Sequence, residues 1–144
     1  MKKAIFILIV LYLTLAFRVF SQCEADHLII VNNFEFVPPE LTIAPGETVA
    51  FINIEGEHTL NGITNSITGE PFNNPFDIFL EQSTGSTDGV CMGIINFDTA
   101  GVFNFDCSVG YNAEAGMTLT VNVDAFDLND LMIDMYNTQE VPIF

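Results

Sequence analysis

Val102-Phe103-Asn104-Phe105-Asp106-Cys107 alternates strictly: Phe103, Phe105 and Cys107 on one side, Asn104 and Asp106 on the other. A period of two predicts a strand with one face in a core. Thr99-Ala100-Gly101 supplies a turn before it, residues 93–97 the preceding strand and residues 117–123 the following one. Upstream, Thr48-Val49-Ala50-Phe51-Ile52-Asn53-Ile54 is nearly apolar on both faces, as suits a strand in the middle of a sandwich. Residues 27–31 form a short β-branched run ended by Asn32-Asn33, and residues 41–43 lie between the breakers Pro38-Pro39 and Pro45-Gly46. Residues 61–89 turn to Asn, Gly, Ser, Thr and Pro, with only 77–80 reading as strand. So long an irregular stretch predicts a functional flap or a covering loop. Short strands between turn signals, without helical period, predict an all-β, antiparallel β-sandwich of Greek-key type. At this level immunoglobulin-like and cupredoxin-like topologies both remain open. The tail differs: Leu128, Leu131, Met132 and Met135 fall at helical spacing, with Asp124 or Asp127 able to cap, which predicts a short C-terminal helix packed on one sheet.

The chain has 144 residues, one domain's worth, with 49% hydrophobic and 15% charged residues, which excludes a disordered acidic tail or a coiled coil. Its only basic side chains are Lys2, Lys3 and Arg18. Lys2 and Lys3, the apolar run 4–17 and Val19-Phe20-Ser21 predict a signal peptide over residues 1–21, cleaved before Gln22. The run is short for a membrane span and Arg18 interrupts it, which argues against an uncleaved anchor. Gln22 argues against lipid attachment at Cys23. The expected organisation is leader 1–21, domain 22–123 and an acidic tail 124–144, secreted or periplasmic. All 19 acidic residues follow Gln22 and no Lys or Arg does. Repulsion therefore excludes nucleic acid and anionic membrane surfaces as partners, and a partner with a basic docking face would be steered in. The same acidity would also serve solubility alone.

Three cysteines follow the leader: Cys23, Cys91 and Cys107. Exported thiols tend to pair, and an odd number leaves one over. One economical arrangement bonds Cys23 to Cys91 and leaves Cys107 free to hold a metal. The spacing does not fix this, and an inert buried thiol at Cys107 is the plain alternative.

His58 follows Gly56-Glu57 in an expected turn after the 48–54 strand, Cys107 ends one strand, and Met117 begins the next after the loop 108–116. An imidazole, a thiolate and a thioether at one end of a sandwich suit copper, since soft sulfurs favour Cu(I) and imidazole tolerates Cu(II). Thr48-Val49-Ala50-Phe51-Ile52-Asn53, His58, Phe103-x-Phe105-x-Cys107 and Gly116-Met117 together resemble the blue (type 1) copper proteins, the cupredoxins of plastocyanin and azurin type, over roughly residues 29–123. With Asn61-Gly62 and Phe72-Asn73-Asn74-Pro75, the chain is also similar to small exported cupredoxin domains of the Bacteroidetes.

The resemblance implies one copper ion held by two His, one Cys and a weak axial Met, and single-electron transfer. It assigns His58, Cys107 and Met117 as ligands and implies that the Thr59 N–H points at the Cys107 sulfur. It departs at the second His, which the family places between Cys and Met. No His occurs in 108–116, and five residues before Met117 stands Asn112. His27, the other histidine, is expected on the surface at the opposite end. Asn112, Glu114 or water could fill the gap, each predicting weaker binding than in the family. Tyr111 stands beside Asn112 as a candidate docking aromatic. The alternative function is a metal-free cupredoxin-fold binding or structural module, and copper capture or delivery is a third. An enzyme is not expected: two His are too few for multicopper chemistry, and neither a zinc-hydrolase spacing nor a Gly-x-Ser-x-Gly motif occurs.

Overall fold

The computed structural model describes residues 23–125. Among them are nine strands: β1 His27–Asn32, β2 Glu35–Val37, β3 Glu40–Ile43, β4 Glu47–Asn53, β5 Glu57–Asn61, β6 Phe79–Thr84, β7 Val90–Phe97, β8 Gly101–Asp106 and β9 Thr118–Val123. They form a four-stranded sheet, β2-β1-β4-β7, and a five-stranded sheet, β3-β9-β8-β5-β6. No helix occurs among the described residues, and the all-β sandwich expected from the alternating strands is what forms. Most neighbours are antiparallel, but each sheet contains one parallel pair, β1 with β4 and β3 with β9. A sheet order that skips along the chain brings those strands together where hairpins alone would not.

Alternation fills the space between the sheets. Val49 and Phe51 from β4, Phe97 from β7, Phe103 and Phe105 from β8, and Leu119 and Val121 from β9 are all buried. Phe103 meets Phe76 and Phe97 edge-to-face, each at 5.0 Å between centroids, the geometry that ring quadrupoles favour. On the face of β4 opposite Phe51, Ala50 is buried while Thr48 and Ile52 are half-buried, in keeping with its run of apolar residues.

The registers define two poles. Gly101 pairs with Val123 and Asp106 with Thr118, so β8 runs towards the end where β9 begins. β4 ends at that same pole in Asn53, leading through Gly56 to β5. His27, paired with Val49, lies towards the other pole, where it bonds Glu47 at 3.0 Å. It is therefore remote from Cys107, as expected.

Three local expectations are corrected. The turn expected at His58 is instead the start of β5, because Glu57 and His58 pair with Thr84 and Ser83 of β6. The short strand expected at 77–80 lies later, at Phe79–Thr84. β2, only three residues long, was not legible beside Pro38-Pro39. The long segment after Asn61 is a covering loop and not a free flap. Asp106 accepts bonds from Asn61 Nδ2, Ser66 N and Ser66 Oγ, while Asn74 bonds Gly62 O, Asn104 O and Asn104 N. Cys23 and Cys91 form a disulfide and Cys107 is a free, buried cysteine, the arrangement that spacing had left open. The leader, the tail helix and their boundaries lie outside the described residues.

Candidate metal centre

His58, Thr59, Cys107, Asn112 and Met117 come from three places in the chain: the start of β5, the end of β8, and the loop that closes onto β9. Asn61 pairs with Asp106, so continuing the antiparallel register sets Thr59 beside Ser108 and His58 beyond it. Thr59 Oγ1 accepts the Ser108 N–H at 2.9 Å and shares a hydrogen bond with Ser108 Oγ, also at 2.9 Å. These bonds clamp the residue after His58 to the residue after Cys107. The alternation of β8 ends with Cys107 pointing inward, fully buried.

The loop returns in tight turns. Asn112 N donates to Val109 O, Ala115 N to Tyr111 O and Gly116 N to Ala113 O. Met117 N then donates to Asn112 O at 3.0 Å, and Cys107 N to Met117 O at 3.2 Å. Cys107, Asn112 and Met117 are thus tied by their main chains, and the Met117 side chain is fully buried in the core cluster that contains Cys107.

The polar atoms converge. Cys107 Sγ lies 3.6 Å from His58 Nδ1, and Asn112 Nδ2 lies 3.2 Å from that Nδ1 and 3.3 Å from Sγ. Thr59 N–H donates to Sγ at 3.5 Å, and Thr59 Oγ1 lies 3.8 Å from it. His58 Nε2, on the far side of the ring, is buried without a hydrogen-bond partner. Burial holds the imidazolium below the ordinary range, against the opposing pull of the Glu55 carbonyl and carboxylate. In a neutral ring Nδ1 offers a lone pair when the proton sits on Nε2, the tautomer that accepts the Asn112 NH2. Gly56 sits against Nε2: its φ is +79°, and a Cβ there would come within 2.7 Å of Nε2.

The sequence-predicted residues His58, Cys107 and Asn112 are in mutual contact, with Met117 joined to them through its main chain. His27 and the exposed Glu114 are outside the cluster. Ser108 and the Thr59 hydroxyl were not foreseen, although their places directly after Cys107 and His58 would have revealed them once β5 was aligned with β8. Among the described residues no three His, Cys, Asp or Glu side chains group to hold a metal ion. The polar side chains in mutual contact are one imidazole, one thiol and one carboxamide, and the Met117 side chain is buried in the same core cluster as Cys107.

No protein-family profile and no curated protein matches the sequence. Solved structures do match. A single-residue mutant of amicyanin in its reduced Cu(I) form at pH 4 is 16% identical with a TM-score of 0.52, over 72% of this chain and 87% of that one. The purple cupredoxin of Nitrosopumilus maritimus is 21% identical with a TM-score of 0.50, over 69% of this chain and 100% of that one. The fold is that of a cupredoxin. On this cupredoxin sandwich the cluster of His58, Cys107 and Asn112 occupies the pole where β4 leads into β5 and β8 into the loop before β9. Tyr111, 82% exposed, marks the outer surface of that loop.

Proposed function

We propose that this protein is an exported copper-binding cupredoxin that carries single electrons through an incomplete type 1 site, with His58, Cys107 and Met117 as ligands and Asn112 where a second histidine would stand. The observation that carries this is the triangle of His58 Nδ1, Cys107 Sγ and the Asn112 carboxamide, with sides of 3.6, 3.2 and 3.3 Å. His58 Nδ1 and Cys107 Sγ, 3.6 Å apart, are close enough for one ion to bridge them. The Asn112 corner is an NH2 group, which donates and does not ligate, so it must give up its bond to His58 Nδ1 for an ion to take that lone pair.

Copper, when bound, supplies a one-electron couple. The chain supplies the rest. Cys107 and His58 are held by two strands joined through Thr59 and Ser108, so neither donor has to travel when charge changes. Thr59 N–H supports negative charge on the sulfur. Burial of Cys107 and Met117 keeps water from both sulfur positions. The acidic surface, with no Lys or Arg after residue 18, fits a redox partner with a basic docking face and repels nucleic acid and anionic membranes.

Metal analysis and anaerobic copper titration test this. One copper ion per chain, lost in Cys107→Ser, together with a reversible one-electron wave in voltammetry, is the expected result. One observation favours a metal-free binding or structural module instead: the Asn112 NH2 bonds both His58 Nδ1 and Cys107 Sγ, so neither is left unsatisfied without metal. No uptake of Cu(I) or Cu(II), and no shift in melting temperature with either, would select that function.

A further inference from the structure

The Asn112 carboxamide turns its nitrogen towards the other two donors, at 3.2 Å from His58 Nδ1 and 3.3 Å from Cys107 Sγ. This orientation has a chemical cause. A neutral imidazole nitrogen and a sulfur both accept, and one NH2 group has two hydrogens to give. The carbonyl oxygen in that place would set lone pairs against lone pairs. The main chain of Asn112 is held on both sides, its N–H by Val109 O and its carbonyl by the Met117 N–H, which keeps the carboxamide beside the other two side chains.

Building on the copper assignment above, we propose that Asn112 makes this a Cu(I)-selective site. It withholds the hard oxygen donor, and its N–H becomes a second hydrogen bond to the thiolate besides that of Thr59. The donors left for the ion are one thiolate, one thioether and one imidazole, a soft set of low coordination number that suits Cu(I). Two N–H groups on Sγ also draw charge from the sulfur, which weakens the thiolate donation on which Cu(II) depends more heavily. In electron-transfer terms, Cu(I) → Cu(II) + e⁻ is made harder, so the protein takes an electron from its donor readily and releases it only to a strong acceptor.

The test uses the folded, oxygen-free full chain and its Asn112→His and Asn112→Leu variants. Each is titrated with Cu(I) and with Cu(II) against chelators specific for each ion, and alkylation of Cys107 is followed in parallel. The wild type is expected to prefer Cu(I), to shield Cys107 from alkylation when Cu(I) is present, and to develop little Cys→Cu(II) charge-transfer absorption. Asn112→His should move the ratio of the two affinities towards Cu(II) by at least about tenfold, a fall of about 59 mV in midpoint potential for a one-electron couple. Asn112→Leu, which removes the N–H donor without adding a ligand, should retain Cu(I) binding but lower the potential relative to wild type. Wild-type protein that holds Cu(II) as tightly as Cu(I), or a potential unmoved in both variants, overturns the proposal while leaving copper binding intact. Failure to bind either ion overturns the copper assignment and this proposal together.

Discussion

Gly56 and Thr59 hold His58 from two sides, and each makes a separable prediction. A methyl group at Gly56 would strike His58 Nε2 and would also impose a side chain on a φ of +79°. Gly56→Ala is therefore expected to cost about 1–3 kcal/mol by thermal melt, and to lower copper affinity about tenfold or more as the ring is pushed aside. Thr59→Val keeps the N–H to Cys107 Sγ but removes the hydroxyl that Ser108 uses. About 1–3 kcal/mol should be lost while copper affinity changes less than in Gly56→Ala. At the other pole, Thr48 Oγ1–H and then Thr48 N–H hold the Asp26 carboxyl below the usual carboxylate range, and Ala44 N–H and then His27 do so for Glu47. The unfolded chain takes up those protons more readily than the folded one. The contribution of both groups is thus complete above the ordinary carboxylate range and disappears as pH falls through their lowered folded values, in the acid limb below about pH 4. Asp26→Asn should lower stability at neutral pH and flatten that limb in acid-denaturation curves, so that variant and wild type converge in acid.

At the scale of elements, the covering loop depends on Asp106, whose 1% exposed carboxylate accepts three hydrogen bonds, two of them from Ser66. The next residue in the chain is Cys107, so the loop and the candidate site share one anchor. Asp106→Ala strands buried donors, and a loss of at least about 3 kcal/mol is expected, with hydrogen exchange accelerating first at Ser66. Exchange that stays slow there would show that Asn74 alone holds the loop. β8 and β4 were legible because one alternates cleanly and the other is apolar throughout. β5 was not: its sequence, Glu57-His58-Thr59-Leu60-Asn61, has no alternation, since four of its five residues are buried. Polar residues buried beside a site and a loop break the usual pattern, because hydrogen bonds to specific partners replace apolar burial.

For the molecule as a whole, the Cys23–Cys91 disulfide closes a span of 68 residues and ties the first described residue to β7. Chain-entropy arguments for a loop of that length give about 4 kcal/mol. Replacing both cysteines by Ala should lower the denaturation midpoint accordingly without altering alkylation of Cys107. A change in Cys107 reactivity would mean that the bond also shapes the candidate site, since Cys91 pairs with Ile52 near the end of β4 at that pole. Phe103, at the centre of the aromatic cluster, is the site where truncation should cost most: about 3–5 kcal/mol for Phe103→Ala by denaturant titration.

Period-two alternation, turn residues and the restriction of Lys and Arg to the first 18 positions were enough to read a β-sandwich and an acidic, cysteine-poor surface, because burial and charge act residue by residue along the chain. Residue type and order pointed to His58, Cys107 and Met117, and the family resemblance added Asn112 at the place of the missing histidine. Only the tertiary structure decided which cysteine stays free, that His58 stands in a strand, and that Asn112 offers its NH2 to both His58 and Cys107. Disulfide pairing, parallel strand neighbours and the orientation of one amide all depend on distances between residues far apart in sequence, and local pattern carries no record of those distances.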